Sequence, residues 1–146
     1  MDRLTLQVVQ LTLEGYSQKN DFVNVIVNGR NMVDIIKEVE LPFAGDLAGD
    51  YHQLTPAYFL QELKRGSPVW ILGCPCGEPG CWPLQVSVGV TDSTVVWSRF
   101  EQPYRSSREP GNEYWDYGNL GFTFDRGEYE AEVRKLEQYQ SLRGLS

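Results

Sequence analysis

Leu84-Gln85-Val86-Ser87-Val88-Gly89-Val90-Thr91-Asp92-Ser93-Thr94-Val95-Val96-Trp97-Ser98-Arg99-Phe100 is the stretch that decides the fold. Leu84, Val86, Val88 and Val90 alternate with polar or small residues, Asp92-Ser93 turns the chain, and Thr94 to Phe100 returns rich in β-branched and aromatic side chains. Apolar residues at period two make one wet and one dry face, and two such runs across a short polar turn predict an antiparallel hairpin.

Upstream, Val69-Trp70-Ile71-Leu72 is a short apolar strand bounded by Pro68 and Gly73. Nearer the start, Leu4, Leu6 and Val8 share one parity and Val9, Leu11 and Leu13 the other, which predicts a long strand with a bulge near Val8. Phe22 to Val27 follows after a polar turn from Gly15 to Asn20 and should pair with it as a hairpin, ended by Asn28-Gly29. Downstream, the polar segment Glu101 to Asn112, with Pro103, Pro110 and Gly111, reads as a loop, and Leu120 to Phe124 as a last strand.

Three segments switch to helical period. Met32, Ile35, Ile36 and Val39 share a face behind the capping residue Asn31, predicting a helix to about Glu40 that Leu41-Pro42-Phe43-Ala44 leaves. Thr55-Pro56 opens a second helix, with Tyr58, Phe59, Leu60 and Leu63 inside and Gly66 at its end. Asp125, with Glu128 three residues on, caps a third that buries Tyr129, Val133 and Leu136. Between the first two, Gly45-Asp46-Leu47-Ala48-Gly49-Asp50 reads as the least constrained internal loop.

Strands in hairpins, not alternating with long helices, predict an α+β class: a mainly antiparallel sheet with about three helices packed on one face. At 146 residues the chain suits a single domain over 1–146, its tail frayed from about 141. Four Trp, eight Tyr and six Phe supply ample core.

The charge is −7 without a separate basic cluster, so phosphate backbones are repelled and no nucleic-acid partner is expected. No apolar run reaches the length of a membrane span, and Met1 to Leu6 alternates like a strand instead of opening a signal peptide, so a cytoplasmic location without membrane contact is expected. There, an odd number of cysteines disfavours a closed disulfide framework.

All three cysteines lie in Gly73-Cys74-Pro75-Cys76-Gly77-Glu78-Pro79-Gly80-Cys81-Trp82-Pro83. Four readings compete for this knot. The leading one is a tight structural turn between a strand and the hairpin at Leu84, its thiols packing as small hydrophobes. A zinc site would use Cys74, Cys76 and Cys81, with His52, the sole histidine, as fourth ligand. A redox pair would join Cys74 or Cys76 to Cys81, adjacent Cys-x-Cys pairing being strained. A cysteine nucleophile would need His52 as its base.

A second cluster combines Arg99, Arg105 and Arg108 with Trp97, Tyr104, Trp115 and Tyr117, the composition of protein-binding hot spots. Its plainer reading is a solvated loop whose arginines pair with Glu101, Glu109, Glu113 and Asp116. No phosphate-binding glycine loop, zinc-protease or serine-hydrolase motif occurs, and the Asp/Gly loop lacks the alternating ligands of a calcium site.

The motif Cys74-Pro75-Cys76-Gly77-Glu78-Pro79-Gly80-Cys81-Trp82-Pro83-Leu84 resembles that of a group of uncharacterised small bacterial proteins. So do Asn28 to Asp34, Val95 to Phe100, Trp115-Asp116-Tyr117 and Phe122 to Tyr129. The resemblance implies a stand-alone bacterial cytosolic domain, assigns no catalytic role and says nothing of zinc. The function expected is a non-catalytic interaction or accessory module that binds a protein partner or itself through Trp82, Arg99, Arg105 and Trp115. The alternative is a protein holding zinc at the cysteine cluster.

Overall fold

A computed structural model describes residues 1–13 and 15–144, with the side chains described to residue 143. Strands β1 (Leu4–Thr12) and β2 (Lys19–Val27) form an antiparallel hairpin, and the two-residue strand β3 (Arg30–Asn31) folds back on β2. Asn28 and Gly29 both have positive φ, 53° and 81°, as a two-residue hairpin turn between right-twisted strands requires. The β1–β2 register runs unbroken from Leu4↔Val27 to Thr12↔Lys19. The bulge expected near Val8 is therefore absent; Leu4 and Leu6 are buried with Val8 packed against the core, while Val9 and Leu11 sit half-exposed on the opposite face.

Helix α1 (Met32–Ala44) starts where Asn31 accepts a hydrogen bond from the Val33 amide at 3.1 Å. It runs through Pro42, past the expected end at Glu40. Pro42 removes the hydrogen bond to the carbonyl of Glu38, but both residues face solvent. Phe43 holds the last turn by packing on Trp115 and Tyr117, with ring centroids 5.8 and 6.0 Å apart.

Helix α2 (Pro56–Arg65) is capped by Thr55, whose hydroxyl accepts from the Tyr58 amide, and ends at Gly66. Strands β4 (Val69–Leu72), β5 (Leu84–Val90), β6 (Thr94–Glu101) and β7 (Phe122–Asp125) make a second antiparallel sheet in sequential order. The architecture is α+β with two antiparallel sheets of three and four strands, where one sheet was expected. Helix α3 (Arg126–Gly144) begins where Asp125 accepts from the Glu128 amide at 2.9 Å; the Glu128 carboxylate turns instead to Arg3, 3.6 Å away. It stays helical beyond residue 141, and the expected frayed tail otherwise falls on residues 145–146, outside those described.

One apolar core spans both sheets. Helix α1 packs on β2 and β3, α2 on β2 and β4, and α3 on β1, β6, β7 and α2. Trp97 lies at the centre, edge-on to Phe124 and Tyr129, its indole N–H donating to the Tyr129 hydroxyl at 3.2 Å. Two backbone stitches join the sheets. The Val23 amide donates to the Leu54 carbonyl, and His52 and Gly73 exchange two hydrogen bonds of 2.8 and 2.9 Å. Asp2 adds a third link, bridging to Phe124 beside β7 while its carboxylate accepts from Asn28 at 2.9 Å and from the Thr123 amide at 2.8 Å.

Candidate functional site

The segment after β4 folds into a tight loop because it is given nothing else to pair with. Pro75, Pro79 and Pro83 lack amide donors, Gly77 takes a positive φ of 98°, and a short 3-10 turn spans Pro79–Cys81. Gly73 must be glycine for a different reason: a Cβ there would stand 2.9 Å from the Pro79 backbone and 3.0 Å from Leu54. The loop thus closes hard against its own stem.

Its thiols are free. The Cys76 amide points at the Cys74 sulfur at 3.4 Å, and the Glu78 amide at the Cys76 sulfur at 3.5 Å. The pKa of Cys76 falls below the ordinary thiol value, first through the Cys74 side chain and then through the Glu78 amide. The Cys74 thiol is pushed up, chiefly by burial, and that of Cys81 is raised chiefly by its interaction with Cys76. The Cys76 thiol and the Cys81 amide both meet the Glu78 carbonyl, at 3.9 and 3.0 Å. No group of three or more His, Cys, Asp or Glu side chains among the described residues surrounds a common point as a metal ion requires.

His52 reaches the knot through its backbone alone. Its bridge to Gly73 places it beside Cys74 in the chain path, while its ring lies edge-on to Phe22, centroids 4.6 Å apart, with Nδ1 2.9 Å from the Gln53 carbonyl. The ring of the expected fourth zinc ligand, or general base, is thus engaged by Phe22 and the Gln53 carbonyl. Cys74 also forms part of the wall of a cavity of about 380 Å³ shared with Phe22, Gln53, Thr55 and Tyr58.

The aromatic cluster sits on the same loop. Trp82, which follows Cys81, stacks on Tyr104, centroids 6.1 Å apart and planes 18° from parallel, and meets the edge of Trp115 at 5.7 Å. The Arg105 guanidinium lies 5.0 Å from the centre of the Trp82 ring and 5.7 Å from that of Trp115, within cation–π range of both. Glu113 binds this assembly from outside, 3.4 Å from Arg105 Nε and accepting from the Trp115 indole at 3.1 Å. The Arg105 ion pair is misaligned for a hydrogen bond, so Nε and the buried indole N–H of Trp82 are both without an acceptor among the described residues.

Gln102 organises these groups from beneath. Fully buried, it donates to the Pro83 carbonyl at 2.9 Å and accepts from the Tyr104 amide at 2.8 Å. The Tyr104 hydroxyl closes the circuit on the Gly80 carbonyl at 2.6 Å. The loop 102–115 is thereby latched to the cysteine loop.

Trp82, Arg105 and Trp115 converge. Arg99 does not join them. It occupies the register shift between β5 and β6 with φ 53°, exposed and without a partner among the described residues. The extra residue there lets Phe100 turn inward after Trp97, where strict alternation would have buried Arg99. Arg108 covers Tyr114 at 4.5 Å and donates to its hydroxyl at 2.8 Å.

Glu40 was the residue the sequence concealed. It is wholly buried at the end of α1 and accepts from the Tyr51 hydroxyl, the Tyr117 hydroxyl and the Gly49 amide. Burial raises its pKa against the opposing pull of those donors. This network fixes the far side of the Asp/Gly loop expected to be loose, and it underpins Trp115 through Phe43 and Tyr117. No helix among the described residues is long and apolar enough to cross a membrane. No protein family, no curated protein and no solved structure matches this chain.

Proposed function

We propose that this protein is a small, non-catalytic bacterial interaction module of the cytoplasm, which binds a protein partner or a second copy of itself through the surface formed by Trp82, Tyr104 and Arg105. The observation that carries this reading is the Tyr104–Trp82 stack. Tyr104 is 56% exposed, rests face to face on a rigid indole, and carries an arginine at its side. Aromatic and arginine side chains held in one conformation lose little entropy on contact and dominate binding energy at interfaces. The net charge of −7 is the reason nucleic acid is left out of the reading.

The test is sedimentation equilibrium across a wide concentration range, together with affinity capture and sequencing of what is retained. Self-association or a saturable partner should be found, and Tyr104→Ala should weaken it at least tenfold with an unchanged circular dichroism spectrum. A strict monomer that retains no saturable partner refutes the proposal, as does binding indifferent to Tyr104→Ala.

A further inference from the structure

Three thiols on one eight-residue loop, two of them exposed and those two brought to the same Glu78 carbonyl by the Cys76 thiol and the Cys81 amide, make an arrangement that an inert turn does not need. Each sulfur has a distinct position. Cys76 is exposed at the tip and receives the Glu78 amide, a donor that favours its anion. Cys81 is exposed beside it, at the end of the 3-10 turn, its own amide tied to the Glu78 carbonyl at 3.0 Å. Cys74 is half-buried at the stem, where its sulfur accepts from the Cys76 amide.

We propose that Cys76 is a hydroperoxide-oxidised thiol that resolves onto Cys81, giving a reversible Cys76–Cys81 disulfide. The Cys76 thiolate attacks the terminal oxygen of a hydroperoxide; the S–O bond forms, the O–O bond breaks, and the departing oxygen takes a proton to leave as water or an alcohol. Cys76 is then a sulfenic acid. The Cys81 sulfur attacks it, the S–S bond forms, the S–O bond breaks, and the hydroxide released combines with the Cys81 proton as water. Two thiols lose two electrons, the peroxide gains them, and a dithiol reductant restores the starting state.

Spacing and chemistry select Cys81 over Cys74. A disulfide across a single intervening residue forces its torsions far from their preferred values, whereas the four residues between 76 and 81 include the conformationally free Gly77 and Gly80. The Glu78 amide, 3.5 Å from the exposed Cys76 sulfur, favours a thiolate there and makes it the attacking group. This inference is independent of any partner, because its readout is covalent.

The test uses the full chain, reduced and then exposed to stoichiometric hydrogen peroxide. Its intact mass should fall by two hydrogens and recover with dithiothreitol. Tandem mass spectra of the tryptic peptide spanning 66–99 should show no backbone fragments between Cys76 and Cys81 until reduction. Cys74→Ser should still form the link, Cys76→Ser and Cys81→Ser should not, and Cys81→Ser should leave a sulfenic acid that dimedone captures at Cys76. Both candidate thiols are exposed, so these variants keep the fold. A link that survives Cys76→Ser, a link that requires Cys74, or a chain that gains only oxygen or remains unchanged overturns the assignment.

Discussion

The hydroxyl of Tyr51 donates to the carboxylate of Glu40 at 2.7 Å in a site from which water is excluded. Tyr117 and the Gly49 amide complete the ring of donors around the same carboxylate, so one side chain ties α1 to two loops. Glu40→Ala strands two phenols and an amide together. Leaving buried polar groups unsatisfied costs about 1–3 kcal/mol each before relaxation, and a total loss of roughly 2–4 kcal/mol is expected. A urea midpoint within experimental error of the parent would show that the ring carries no stability.

The pH dependence of stability follows from two carboxylates shifted in opposite directions. Burial raises Glu40 above its ordinary value of 4.5, so between that pH and its folded value the native chain holds a proton that the unfolded chain has released. Stability therefore declines as pH rises through that window, and Glu40→Gln should flatten the slope. Asp2 is lowered below 3.8, first by the Asn28 side chain and then by the Thr123 amide. Its contribution is present above 3.8 and vanishes as pH falls through the folded value, and Asp2→Asn should remove that acid limb. Urea titrations at several pH values, parent against each variant, separate the two.

Arg99 holds a left-handed backbone that glycine adopts freely and β-branched residues resist. Arg99→Gly should leave stability within about 1 kcal/mol of the parent or raise it, whereas Arg99→Val should cost roughly 1–2 kcal/mol. Equal effects of the two substitutions in thermal or urea unfolding would mean that the register shift moves to relieve the strain.

Chelation separates free thiols from a metal cage. With no three ligating side chains gathered around one point among the described residues and the His52 ring against Phe22, protein prepared without chelator should carry well under one equivalent of zinc. Its melting temperature should not change when a strong chelator is added. A stoichiometric metal whose removal lowers the midpoint by several degrees would show that the loop rearranges around the ion.

The sequence exposed elements whose signals are local. Alternation from Leu84 to Phe100 announced β5 and β6, Thr55-Pro56 and Gly66 bracketed α2, and Asn28-Gly29 marked the turn into β3. Features that depend on distant partners stayed hidden. Glu40 appeared in the sequence only as the end of a helix because its tyrosines lie 11 and 77 positions away. The parity change at Val8–Val9 mimicked a bulge because β1 carries apolar residues on both faces, while the real irregularity at Arg99 had no glycine to advertise it. At the candidate site, the plainer reading of arginines paired with nearby glutamates is met by Arg105 and Glu113, while the contact of Arg105 with Trp82 joins two loops that are separate in sequence. The direction of the His52 ring was unreadable, since it is set by Phe22, 30 positions earlier.

The hydrogen bond from the Leu6 amide to the Glu132 carboxylate, 2.9 Å long, and that from the Tyr139 hydroxyl to Asp21, 2.7 Å, tie α3 to the first hairpin. On the ribosome, β1 and β2 emerge long before α3 exists, so the early hairpin waits with an amide-bearing edge uncovered until α3 has been made. A stall or truncation anywhere before about residue 132 would release a nascent chain with that edge open. The cell would meet such fragments as aggregation-prone clients of its chaperones, even though every residue of the first sheet had been made.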